Sequence, residues 1–203
     1  MNRPCYRRVL LVGVMLLALL VACDIFPTDD DFEPTGSPFN LDAGIALVDI
    51  TGGEQPQATG TYTVNVTGRA TGGAPAEQRF PAGLQFVSTQ RRVQHVLVLK
   101  SQQVEFDTAA TRRSLGVFCC NRYRRTPDEL DTFDLGPVTN NPGLQEITGL
   151  VSGRDISAAL WMVQRAVWMV TDSTGLNQAY RDSLAALPAK DEDRAPGDSP
   201  RRR

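Results

Sequence analysis

Two adjacent thiols and one carboxamide offer the chemistry in this chain. Cys119 and Cys120 end the apolar run Leu115-Gly116-Val117-Phe118, and Gln164 lies in the apolar segment from Asp155 to Thr171. On a helix, Ile156, Leu160, Val163, Val167 and Val170 form a core stripe, and Gln164 borders it between Trp161 and Trp168. A carboxamide so placed must find partners or lose about 1 to 3 kcal/mol to desolvation. A cysteine is a nucleophile through its thiolate. On an alternating strand Cys119 shares a face with Val117 and Leu115, and Cys120 points the other way with Phe118.

The segments Val117-Phe118-Cys119-Cys120-Asn121 and Val163-Gln164-Arg165-Ala166-Val167-Trp168 together resemble the thioester domains of bacterial surface adhesins. Those domains carry an aromatic residue followed by Cys near a strand end, then a hydrophobic-Gln-x-x-hydrophobic segment, often with Trp. Phe118-Cys119 matches the first motif, and Val163-Gln164 with Val167-Trp168 matches the second. The resemblance extends loosely over residues 83–172. It implies that the Cys119 sulfur attacks the Gln164 carboxamide, ammonia leaves, and an internal thioester remains. A host amine would then open the thioester in a single-use covalent attachment. An amide is ordinarily inert, so enforced proximity must drive the exchange; effective molarities on the order of 10⁵ M make it practical. Phe118, Trp161 and Trp168 would keep water from the product.

The residues leave other accounts open. Cys120 is an alternative thiol, absent from the family pattern. Cys119 and Cys120 are also small enough to serve as core packing, with Gln164 hydrogen-bonded to a backbone group. A disulfide between the two neighbours would strain the peptide between them. No spaced disulfide framework exists. His95, the sole histidine, reads as a strand residue with one satisfied nitrogen, so neither a histidine-based metal site nor general-base catalysis is expected. Ser114, Ser152 and Ser157 lack a nucleophile elbow, and an enzyme of conventional type, with cofactor or metal, is not expected.

The amino terminus sets location. Arg3, Arg7 and Arg8 precede the apolar stretch from Val9 to Val21, 13 residues and too short to span a bilayer. Leu20-Val21-Ala22-Cys23 resembles the lipobox of bacterial lipoproteins. That resemblance implies cleavage before Cys23, a diacylglycerol thioether on its sulfur, and an extracytoplasmic protein held to the membrane by lipid. Each buried methylene contributes about 0.8 kcal/mol to such anchoring. Without residues 1–22 the formal charge moves from −2 to −5, because the leader holds three arginines and no acid. No basic patch interleaved with aromatics remains, so nucleic acid is not an expected partner. The expected partners are the membrane, through acylated Cys23, and a protein or other amine-bearing surface ligand.

The elements that must position these groups follow from periodicity. Residues 23–42 hold Asp24, Asp29, Asp30, Asp31, Glu33 and three prolines, and read as a spacer. Residues 43–120 are rich in Thr, Val and Gly, with strands expected at 44–50, 61–68, 84–89, 93–99, 103–107 and 113–120. In the second, Tyr62, Val64 and Val66 share one face and Thr61, Thr63, Asn65 and Thr67 the other, so one side is expected to be buried. Beyond Pro127 the period turns helical, with helices at 142–151, 155–171 and 176–187; Asp172 or Ser173 is placed to cap the last. The expected architecture is α+β, a β-sandwich-like half followed by helices packed on it. The domain spans residues 43–187, and 188–203 form a disordered tail.

Overall fold

The apolar run 115–120 is buried on both faces, and the rest of the fold supplies those two coverings. A computed structural model describes residues 32–53, 55–172 and 174–190. The leader, the lipobox with Cys23, the first part of the spacer and the tail from residue 191 lie outside the described residues.

Among the described residues nine strands and three helices follow in order: β1 (Gly36–Ser37), β2 (Ile45–Gly53), β3 (Tyr62–Ala70), β4 (Ala76–Phe80), β5 (Leu84–Ser88), β6 (Val96–Leu97), β7 (Gln102–Phe106), β8 (Thr111–Cys119), β9 (Phe133–Thr139), α1 (Pro142–Val151), α2 (Leu160–Thr171) and α3 (Gln178–Ala185). Seven strands form one sheet in the order β1-β9-β5-β6-β8-β3-β2, and β4 pairs with β7. Every strand pair is antiparallel. The large sheet curls until β2 meets β9, where Thr51 bridges Thr132 and the Gly52 amide donates to the Asp131 carbonyl at 2.9 Å. The expected α+β class holds, with the sheet in the amino-terminal half and the helices after it.

Alternation sorts the sheet's side chains into two cores. Val64, Val66, Phe86, Val96, Val98, Leu115, Val117 and Cys119 fill the first, with Phe80 and Phe106 from the small sheet. Leu97, Leu99, Phe118 and Cys120 face the second, which the helices complete with Leu144, Ile147, Val163, Val167 and Leu184. Burial on both faces accounts for the unbroken apolar stretch at the end of β8. An Arg181–Glu146 ion pair at 2.6 Å ties α3 to α1.

Several elements depart from the expectations. Residues 32–42 are part of the folded unit, which begins at Phe32. β1 pairs with β9, the Phe39 ring lies tilted 6.2 Å from that of Phe80, and Asn121 donates to the Phe32 carbonyl. A strand follows Pro127, because β9 takes Gly136 and Pro137 into a bulge opposite Gln85, where a missing amide hydrogen is tolerated. α2 starts at Leu160: Asp155 accepts the Ser157 amide at 2.9 Å, and this local turn replaces the expected first helical turn. Asn177 caps α3 by accepting the Tyr180 amide, and Asp172 ends α2. Order continues past Pro188, with Arg154 bridging Ala189. α1 keeps its expected bounds, capped by Asn141 with Pro142 in the first turn.

Ahead of β3, residues 57–60 turn sharply and press against β8. A Cβ on Gly60 would overlap the backbone nitrogen and oxygen of Val117. Gly60→Ala is expected to lower the unfolding free energy by about 3 kcal/mol or more, since backbone cannot yield there; urea denaturation of the folded domain measures this.

Candidate functional site

At the end of β8, hydrogen-bonding directions alternate. The Cys120 amide donates to the His95 carbonyl on the β6 side at 2.8 Å, so the Cys119 amide and carbonyl point toward β3. Yet β3 begins at Tyr62, opposite Val117. The place facing Cys119 falls at Gly60, where the chain turns back on Gln57. A strand partner is missing at a buried position.

Gln164 fills that gap with its side chain. Its Oε1 accepts the Cys119 amide at 2.9 Å, and its Nε2 donates to the Cys119 carbonyl at 2.7 Å. Because an amide N–H only donates and a carbonyl only accepts, the carboxamide orientation is settled. Thr61 adds a third bond, its hydroxyl donating to the same Oε1 at 2.6 Å. Cys119 and Gln164 are both 0 % exposed, and Thr61 is buried beside them. The carboxamide carbon is therefore clamped against the backbone of the residue that carries the thiol. Two donors converge on the oxygen that takes charge if this carbon is attacked.

The thiols themselves are quiet. Burial pushes the Cys119 thiol well above its ordinary pKa, and neighbouring Cys120 adds to the rise. Cys120 is raised as well, by burial first and then by the charge of Asp172. Both are neutral thiols at pH 7, so neither is an activated thiolate. They are free of any disulfide, and they enter opposite cores. The same alternation separates Cys120 from the face that Cys119 presents.

Of the three expected aromatic walls, Trp168 packs against the core that holds Cys119, with Arg122 5.9 Å from its ring. Phe118 is buried on the other face, and Trp161 is 61 % exposed. Trp161 instead stands edge-on to Tyr62, 6.4 Å between ring centroids. Tyr62 lies across from Val117 in the Cys119 core, two residues along the same face. Burial raises its phenol pKa, and Cys119 raises it further. His95 is structurally engaged, its Nδ1 accepting the Ser88 amide at 3.0 Å. Among the described residues no group of His, Cys, Asp and Glu side chains gathers as a metal site.

A second unit of the same form sits three residues upstream. Gln102 Oε1 accepts the Gly116 amide at 2.9 Å, its Nε2 donates to the Gly116 carbonyl at 2.8 Å, and the Thr59 hydroxyl donates to Oε1 at 3.1 Å. There the residue clamped has no side chain and no nucleophile. Thr61, Tyr62 and Gln102 were not among the expected site residues. The period-2 pattern of 61–68 pointed to one buried face, whereas Thr61, Thr63 and Asn65 are buried too.

In a Cys119→Ala background, which leaves only hydrogen bonds at stake, Gln164→Ala is expected to cost about 3 kcal/mol in urea unfolding. It strands two backbone groups and a hydroxyl in the core. Gln102→Ala, at the less buried unit, is expected to cost about 1 kcal/mol by the same measure. The chain matches no protein-family model, and comparison with curated proteins and with solved structures finds no significant match, so the reading of this site rests on its geometry and chemistry.

Proposed function

We propose that this protein is a lipid-anchored, extracytoplasmic bacterial lipoprotein whose domain forms an internal thioester between Cys119 and Gln164 and attaches through it to an amine-bearing surface partner. The single observation that carries the reading is the three-bond clamp holding the Gln164 carboxamide on the Cys119 backbone. The thiol adds to the carboxamide carbon, the C–N bond breaks, and nitrogen leaves as ammonia with the thiol proton. A lysine amine of the partner then forms a new amide, the C–S bond breaks, and the amine proton passes to sulfur. Each event is used once, which suits an attachment device rather than an enzyme.

A neutral buried thiol is a poor nucleophile toward outside reagents and gains reactivity only where geometry supplies it. Trp168 and Tyr62 in the same core favour a dry site, which protects a thioester from hydrolysis. Anchoring rests on the lipobox residues 20–23.

The Gln102–Gly116 unit favours a second reading, a non-covalent structural or binding lipoprotein in which both glutamines only complete the backbone hydrogen bonding of β8. Intact mass separates the two. The purified domain is expected to be short by one ammonia. Methylamine should convert that deficit into a gain of one methylene over the plain sequence, and Cys119→Ala should show neither change. The plain mass in the unmodified domain would establish the second reading. Anchoring is tested in bacterial cells expressing the full chain: a labelled palmitate is expected to enter the protein and to be lost, with membrane retention, in Cys23→Ala.

A further inference from the structure

Thr61 lies outside the motif residues, yet it touches the atom on which charge must develop. We infer that its hydroxyl is a catalytic oxyanion donor, acting with the Cys119 amide in both formation and opening of the thioester; this assignment rests on the thioester reading above. The Thr61 hydroxyl meets Gln164 Oε1 at 2.6 Å inside the core, and the Cys119 amide meets the same oxygen at 2.9 Å. When Sγ bonds to the carboxamide carbon, the carbonyl electron pair moves to Oε1, and both donors hold the resulting anion. When the C–N bond breaks, the pair returns to the carbonyl and ammonia departs with the thiol proton. The same two donors hold Oε1 again when an amine adds and the C–S bond breaks. Thr61 is unchanged by either step.

Preorganised donors aimed at an oxygen that becomes charged lower the barrier because their bonds strengthen in the transition state. Burial enlarges the effect, since no water competes for the oxygen. The ground state has little need of Thr61, because Oε1 already has the backbone amide of Cys119 as a donor. At the upstream unit, the Thr59 hydroxyl stands farther from its carboxamide oxygen, at 3.1 Å, and the site is less buried. The tighter hydroxyl accompanies the residue that carries sulfur. Gly60 and Gly116 let the chain pass close enough over β8 for Thr61 to reach inward; a Cβ on Gly116 would overlap Thr59.

The test compares the unmodified domain with Thr61→Val, Thr61→Ser and Cys119→Ala. It reads the fraction of molecules lacking ammonia and the rate at which methylamine consumes them. Thr61→Val is expected to keep the melting temperature within a few degrees and to slow both processes on the order of 10²-fold, the scale of losing one oxyanion donor. Thr61→Ser is expected to restore them. Should Thr61→Val fail to fold, Thr61→Ala takes its place with the same expected loss. Unmodified rates in the folded variant would overturn the role of Thr61 while leaving the thioester standing. A plain mass in the unmodified domain would overturn the thioester itself. A deficit that persists in Cys119→Ala and vanishes in Thr61→Val would mean that Thr61 is the nucleophile, forming an ester with Gln164, and would overturn both assignments.

Discussion

The end of β8 is buried on both faces, yet its two flanking strands stop short of covering its backbone. β3 begins opposite Val117, and β6 pairs only at Cys119 and Phe118. Each uncovered amide and carbonyl in such a place costs free energy unless paired. Two glutamine side chains answer this need, Gln164 at Cys119 and Gln102 at Gly116, one on each edge of the strand. The helical layer is placed where it is in part because α2 must bring Gln164 to that gap. Val163 and Val167 on either side of Gln164 supply the apolar contact that holds the helix there.

The same constraint unites structure and chemistry. A carboxamide that mimics a strand partner must lie against the backbone of the residue it serves, and at one of the two positions that residue bears a thiol. Burial keeps this thiol protonated and shielded from solvent. Low polarity around it strengthens every hydrogen bond to the carboxamide oxygen. The upstream unit has the same hydrogen-bonded form at a residue with no side chain, so there the form serves the backbone of β8 alone.

The segment after Cys120 is held as firmly as the strand before it. Asn121 adopts a left-handed conformation, with φ of 58°, and donates to the Phe32 carbonyl. Arg125 then pairs with Asp128 at 2.7 Å and with buried Asp131 at 2.6 Å. These contacts return the chain to β9 and close the sheet against β2 through the Asp131 carbonyl. Phe32, the first described residue, packs against the core that holds Cys120.

Much of the fold was legible in the residues. The strands expected at 61–68 and 113–120 correspond to the central pair β3 and β8, and the helix expected at 142–151 is α1. Spacing along α2 set Gln164 at the border of an apolar stripe. What stayed hidden had a local signal that pointed elsewhere: Gly136 and Pro137 disguised β9, and Asp155 shortened α2 by forming its own turn. The sequence by itself determined which groups could react and that one carboxamide had to be satisfied in a core. Only the tertiary structure decided that its partners are the backbone of Cys119 and the hydroxyl of Thr61, because those contacts join residues 45 and 103 positions apart, and no local period encodes where a strand will end beside a helix.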